Sequence, residues 1–342
     1  MKRSETAVGS AEELLRRCGD EVSGPLRAAV DRLPGELRLG AGFHLGWWDA
    51  EGTPVSAPQG KRVRPAFVLS AARAVSGRAN DEALRAAVAV ELVHNFSLVH
   101  DDVMDADELR RGRTAVWARF GVPYAILLGD AMLALAGQVL AGVGDDTRPC
   151  HLLNEVVIAL CTGQHQDMAF EKSSAVSVGD YLEMVAGKTA ALVACACALG
   201  ALAGGAGPGE VEVLRRFGHH VGLVFQLVDD VLGIWGDPAV TGKPAGADLR
   251  RYKKSMPVLA AIGSGSEAGR LLGDMYRTRS IADAAATERA TRLLERAGGR
   301  DWTEAQAIRN HRLALACLDE LGPGWSAGEL RALADLVVSR NK

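Results

Sequence analysis

Aromatic side chains are scarce in this chain: Phe, Trp and Tyr together make up 5% of 342 residues. Alternating, strand-length segments bounded by turn residues are scarce too, while Ala, Leu, Arg and Glu are abundant. Both shortages point away from a sheet protein and towards a mostly helical one. A surplus of positive charge is also lacking. The 39 Lys and Arg face 42 Asp and Glu, and the net charge of −3 argues against a nucleic-acid partner. The six cysteines include no CxxC pair, so neither a disulfide framework nor a zinc site is expected, and a reducing cytoplasmic setting fits best. The opening "MKRSETAVGSAEELLRRCGDEV" is charged and has no apolar run of the kind a secretory signal needs. No short-period repeat or low-complexity block occurs, and no compositional break marks a linker. Length alone would allow two domains. The missing linker favours one all-α domain over residues 21–342, after a flexible segment at 1–20.

Helical periodicity is what the sequence has in quantity. Helices are expected over Ala66–Val75, from Asp81 to about Met104, over 122–142, from near Leu152, from near Val178, and over 210–235. Ser10 with Glu13 and Ser326 with Glu329 have the spacing of capping boxes at helix starts. Two irregular stretches, "GTPVSAPQGKRVRP" and "GDPAVTGKPAGADLRRYKKS", carry clustered cations. Thr189 to Gly207 runs without a charge. Its Ala and Gly content gives weak transfer into lipid, so a central buried helix is expected rather than a membrane span.

Against this background "SLVHDDVMDADELRRGR" stands out. Asp101, Asp102, Asp105, Asp107 and Glu108 crowd together, and Arg110, Arg111 and Arg113 follow. Asp101 and Asp105 lie one helical turn apart and repel by a few tenths of a kcal/mol. A solvated face is the ordinary reading of a charge run, but this one sits among Leu98, Val99, Val103 and Met104. A second acidic pair, Asp229 and Asp230, lies in the apolar "VGLVFQLVDDVLGIW". Carboxylates grouped inside helices suit a hard divalent cation, and Mg²⁺ completes its sphere with water and phosphate oxygens. A phosphorylated substrate then needs cations. Candidates are Lys61, Arg62 and Arg64, then Arg110, Arg111 and Arg113, then Lys243, Lys253 and Lys254. His219 and His220 read as packed or solvated, since adjacent residues face different ways on a helix, His100 as a supporting side chain rather than a ligand, since Mg²⁺ prefers oxygen, and His165 as structural.

The ordered series "GKRVRP", "ELVHNFSLVHDDVMD" with "RRG", "GQHQD", "GKT", "FQLVDD" and "GKPAGADLRRYKKSMP" resembles the trans-isoprenyl diphosphate synthases. The resemblance spans about residues 55–260. It implies condensation of isopentenyl diphosphate with an allylic prenyl diphosphate held by Mg²⁺ between two aspartate-rich helices, in a homodimer. Ionisation of the allylic C–O bond, attack by the isopentenyl double bond and proton loss lengthen the chain by five carbons. The same resemblance assigns Asp101, Asp102, Asp105, Asp229 and Asp230 to metal, with Asp101 and Asp105 as the direct ligands of the first motif. It assigns Arg110, Lys188, Lys243 and Lys253 to the allylic diphosphate, and Lys61, Arg64, His94 and Arg111 to isopentenyl diphosphate. Thr189 and Gln226 fall near the developing cation, and Gln164 and Asp167 form the "GQxxD" element, with Asp167 reaching a metal through water or holding a lysine. His94 precedes Asp101 by seven residues, two turns along one face.

Three positions depart from the family pattern: Gly233 in place of a third aspartate, Gln59 in place of a glycine, and Ser255 in place of a threonine. The loss at Gly233 is expected to weaken the second metal motif. Phe96 and Ser97, five and four residues before Asp101, resemble the floor of enzymes that stop at twenty or fifteen carbons. Geranylgeranyl diphosphate is the expected product and farnesyl diphosphate the next. Two alternatives use the same fold: a class I terpene cyclase, for which aromatics are few, and a non-catalytic subunit, for which the first motif is too complete.

Overall fold

The computed structural model describes residues 2–55, 57, 60–141, 146–173, 175–237, 246–322 and 324–339, with side chains from residue 11 onward. Among the described residues the regular structure is helical apart from one minimal hairpin and an isolated bridge between Trp48 and Pro54. Helices α1 (Lys2–Val30), α2 (Gly35–His44), α3 (Val63–Ser76) and α4 (Asp81–Met104) precede strands β1 (Leu109–Arg110) and β2 (Arg113–Thr114). Then come α5 (Val116–Phe120), α6 (Val122–Ala141), α7 (Arg148–Lys172) and α8 (Val178–Val185), a π-helical turn at Ala186–Ala190, α9 (Ala191–Ala203) and α10 (Pro208–Trp235). The chain closes with α11 (Ala247–Arg250), α12 (Met256–Gly263), α13 (Glu267–Arg277), α14 (Ala284–Arg296), α15 (Gly299–Asp319) and α16 (Gly328–Ser339). The expected helices are therefore present, within a few residues at their ends.

The described chain forms two compact units. The first holds residues 1–157, 195–215 and 321–333, and the second holds 158–194, 216–320 and 334–342. In the first, α4 starts where Asn80 accepts a hydrogen bond from the Ala83 N–H. It is apolar on most sides and buries Leu92, Val93, Phe96 and Val99, as a central helix must. Phe67, Leu69, Leu128 and Met132 from α3 and α6 are also fully buried. Each such side chain contributes roughly 1.5–3 kcal/mol. In the second unit, Ile234, Leu249, Val258, Leu272, Ile281 and Leu294 form a core over α10–α14.

Neither capping box forms. Helix α1 already runs from Lys2, so Ser10 lies within it. Its residues Ala11, Leu14, Leu15 and Cys18 are buried, although the sequence reading assigned this stretch to a flexible segment. Helix α16 starts at Gly328, and Glu329 turns instead to Ser70, Arg17 and Arg73. Val122–Ala141 and Val178–Ala203 are long and apolar enough to cross a membrane by length and composition. In the charge-free run, every residue from Leu192 to Leu199 is at most 4% exposed, as the sequence reading expected.

Candidate active site

In the first unit the acidic motif closes α4, and Asp105 is its C-cap residue. The three aspartates have different surroundings. Asp101 is half-buried and Asp105 exposed. Asp102 is 1% exposed and accepts from Arg110 Nε at 2.8 Å and from Nη2. Asp102, grouped from sequence with Asp101 and Asp105, turns inward and grips Arg110. Its Oδ2 is buried with no hydrogen-bond partner. Burial lowers the pKa of the Arg110 guanidinium, but Asp102 outweighs this, with Asp101 and Asp107 adding to it, so the group sits above its ordinary value.

The "RRG" segment is a hairpin that periodicity could not reveal. Leu109 pairs with Thr114 and Arg110 with Arg113, leaving Arg111 and Gly112 as a two-residue turn. Both have positive φ, 54° and 74°, as a type I′ turn requires. Glycine tolerates this, whereas an arginine there carries strain of the kind found at functional sites. The hairpin fixes Arg110 on one strand and Arg111 at the tip. Arg113 is a structural staple, donating to the Phe43 carbonyl at 2.7 Å and the Trp48 carbonyl at 3.1 Å.

Arg64 and His94 meet at 3.2 Å through Nη1 and Nε2. A guanidinium only donates, so His94 Nε2 accepts and its ring proton is on Nδ1. Burial, then the charges of Arg64 and Arg111, hold His94 well below the usual histidine pKa, so it is neutral. Behind it lies a network that sequence reasoning missed. Asn95 donates to Glu91 Oε1 at 3.0 Å and accepts from His44 Nε2 at 3.1 Å, and all three residues are buried. Lys61 is exposed. Arg62, grouped with the phosphate-binding cations from sequence, instead donates to the Gly19 carbonyl at 2.7 Å and to Ser23, tying α3 to α1. Phe96 is 4% exposed and meets His100 edge-on at 5.7 Å. Ser97 is buried and donates to the His94 carbonyl. His100 contacts the Ile126 carbonyl at 3.0 Å, in keeping with a supporting role.

In the second unit the π-helical turn carries Lys188 and Thr189. Such turns arise where an α-helix must absorb an extra residue, often at functional sites. Close backbone packing holds this one in place. A Cβ on Gly163 would lie 2.3 Å from the Lys188 nitrogen, and one on Gly222 would lie 2.4 Å from the Ala190 Cα. These glycines let α7 and α10 approach the turn. Asp167 of α7 accepts from Lys188 Nζ at 2.5 Å. Thr189 donates to Gln226 Oε1 at 3.0 Å, and Gln226 donates to Asp230 Oδ1 at 2.9 Å. Gln164 is 4% exposed, and neither amide atom has a hydrogen-bond partner.

Asp229 is exposed, whereas Asp230 is fully buried. The Oδ2 of Asp230 accepts from the Tyr181 hydroxyl at 2.6 Å and the Met256 N–H at 3.0 Å. With Gln226 on Oδ1, both oxygens of Asp230 are engaged by protein donors. Gly233 is explained by Asp248, whose Oδ2 lies 2.2 Å from where a Cβ on Gly233 would be. The place next to the missing side chain is filled by a carboxylate from α11. Lys253 lies in the field of these acids. Its side chain is exposed, so the partial desolvation that lowers its pKa is outweighed by Asp230, then Asp248, Asp167 and Asp229, which hold the ammonium above its ordinary value. Lys254 is engaged with the carbonyls of Phe170 and Glu171 at the end of α7. His220 contacts Asn310. Lys243 and Gln59 lie outside the described residues.

Among the described residues no three side chains of His, Cys, Asp or Glu converge as a metal cage. Exposed carboxylates that present only oxygen suit Mg²⁺, which takes one or two from protein and the rest from water and phosphate. In the first unit, the buried Oδ2 of Asp102, next to Asp101 in the chain, has no hydrogen-bond partner, an unsatisfied oxygen of the kind a hard cation suits.

The polyprenyl synthetase family model matches residues 50–294. Geranylgeranyl diphosphate synthase of Mycobacterium tuberculosis H37Rv is 44% identical, over 96% of this chain and 93% of its own length. A (2E,6E)-farnesyl diphosphate synthase of Mycobacterium bovis is 42% identical, over 99% and 94%. The crystal structure of a polyprenyl synthetase from Streptomyces coelicolor A3(2) superposes with a TM-score of 0.90 at 43% identity, covering 95% of this chain and 98% of that one. A Corynebacterium glutamicum geranylgeranyl pyrophosphate synthase, complexed with isoprenyl diphosphate and magnesium, superposes at 0.79 with 26% identity, over 96% and 99%. With its motifs in order and its fold shared along nearly the whole length, this chain belongs to the polyprenyl synthetase family of prenyltransferases.

Proposed function

We propose that this enzyme condenses isopentenyl diphosphate with an allylic prenyl diphosphate, and that its main product is the twenty-carbon geranylgeranyl diphosphate. The allylic C–O bond breaks, C1 bonds to the isopentenyl double bond, and the proton lost goes to the released diphosphate. The observation that carries condensation, rather than ionisation alone, is the second cationic set: Arg64 against a neutral His94, with Arg111 on its strained turn. A cyclase has no need of it. Lys61 joins this set from the exposed loop. Asp101, Asp105 and Asp229 are the carboxylates suited to Mg²⁺, which when bound neutralises charge on the leaving diphosphate. Arg110, oriented by Asp102, and Lys188, oriented by Asp167, bind the allylic diphosphate with Lys253. Lys243 is assigned to the same group by its motif alone. Thr189 and Gln226 supply fixed dipoles near C1.

Fifteen-carbon farnesyl diphosphate is the second reading, since relatives of both names match almost equally. The buried Phe96 supports an early stop to chain growth. We also propose a homodimer in a reducing cytoplasm. All six cysteines are free thiols, and α6 exposes Val122, Ile126 and Leu127. The test is incubation of the purified chain with isopentenyl diphosphate, Mg²⁺ and each allylic primer, followed by determination of the product's carbon number. Asp101→Ala is expected to abolish turnover with circular dichroism unchanged. A cyclic hydrocarbon formed without consumption of isopentenyl diphosphate would favour the cyclase.

A further inference from the structure

The hydrogen bonds around Asp230 form one chain with a fixed direction. A backbone N–H can only donate, so Met256 donates to Asp230 Oδ2. The Tyr181 hydroxyl donates to the same oxygen, and Gln226 Nε2 donates to Oδ1. Three donors converge on a carboxylate with no exposure to solvent. Gln226 must therefore turn its NH₂ towards Asp230 and its Oε1 towards Thr189. The Thr189 hydroxyl has one proton and gives it to that Oε1. Its lone pairs take no part in that bond.

We propose that Asp230 is a positioning residue that sets this direction of donation. Through Gln226 it makes Thr189 present oxygen lone pairs, and not its proton, to the positive charge developing on the allylic substrate. This inference rests on the condensation reading above. An oriented lone pair stabilises a nearby cation without reorganisation, whereas a proton in the same place repels it. The backbone contact between Gly222 and Ala190 keeps the π-helical turn, and so Thr189, against α10. The tight packing explains why one carboxylate two links away controls the hydroxyl.

Asp230→Asn is the decisive variant. The introduced amide must still accept from Tyr181 and Met256, so its NH₂ faces Gln226. Gln226 then flips, its NH₂ meets Thr189, and the hydroxyl proton points outward. The expected result is a loss in kcat of about 100-fold, the usual effect of removing one stabilising dipole. KM for both substrates, and Mn²⁺ affinity in the presence of inorganic pyrophosphate read by electron paramagnetic resonance, are expected to stay near wild type. The double variant Asp230→Asn with Gln226→Glu restores an acceptor for Thr189 and is expected to recover most of kcat. An unchanged kcat in Asp230→Asn, a loss of Mn²⁺ affinity there matching that of Asp229→Asn, or no rescue in the double variant overturns the proposal. Should Asp230→Asn fail to fold, Thr189→Val decides, with lost kcat at wild-type Mn²⁺ affinity expected and unchanged kcat overturning it. A wild-type enzyme that ignores isopentenyl diphosphate sinks the condensation reading instead.

Discussion

Asp229 and Asp230 are adjacent on α10, yet a turn of about 100° per residue separates their directions, so one reaches solvent and the other ends among donors. The same divergence separates Asp101 from Asp102. The resemblance sets Asp101 and Asp105 apart from Asp102 but leaves Asp229 and Asp230 alike, and packing shows which carboxylates are buried among donors. Gly233 is a further case. Its missing side chain reads as a lost acid, but Asp248 fills the adjoining space. Gly233→Ala pushes that carboxylate away from its place near Lys253. The expected outcome is a several-fold rise in KM for the allylic diphosphate in steady-state kinetics, with a stability loss of about 1 kcal/mol. His44 predicts an acid sensitivity. Burial, then the charges of Arg111 and Arg110, lower its pKa from 6.5 to about 3. Between those values the unfolded state holds the extra proton, so stability falls as pH drops through that window. The slope from this group is at most about 1.4 kcal/mol per pH unit. His94 acts in the same direction. His44→Gln is expected to flatten the fall of Tm between pH 6.5 and 4, measured by calorimetry.

Among the elements, long helices were legible because apolar periodicity over twenty residues leaves little ambiguity. The hairpin was not, since strands of two residues have no period, although "RRG" with glycine at its end was a turn signal. The π-helical turn left no sequence mark beyond "GKT". Both capping boxes had the right spacing and failed, one because α1 had already begun and one because Arg17, Arg73 and Ser70 claimed Glu329. Helix α4 carries a prediction of its own. Phe96 lies five residues before Asp101, buried and edge-on to His100. Phe96→Ala opens the apolar side of α4. It is expected to lengthen the product by at least one five-carbon unit, read by chromatography of the dephosphorylated alcohols, and to cost about 3 kcal/mol in stability. An unchanged product distribution counts against Phe96 as the floor.

At the scale of the whole molecule, the exposed apolar side chains on α6 bear on assembly. Leu127 is 61% exposed, with Ile126 at 44% and Val122 at 40%. If this face joins two copies, Leu127→Asp is expected to convert the dimer to a monomer in analytical ultracentrifugation, and an unchanged sedimentation coefficient places the interface elsewhere. By itself the sequence determined the all-helical class and the order of the helices, because periodicity is a property of the chain, and its ordered motifs carried the resemblance to the trans-isoprenyl diphosphate synthases. Only the tertiary structure decided which carboxylates face solvent, which arginine is gripped, which way His94 carries its proton and what stands beside Gly233. Those choices depend on what packs against each side chain, and burial and hydrogen-bond direction are set by neighbours distant in sequence.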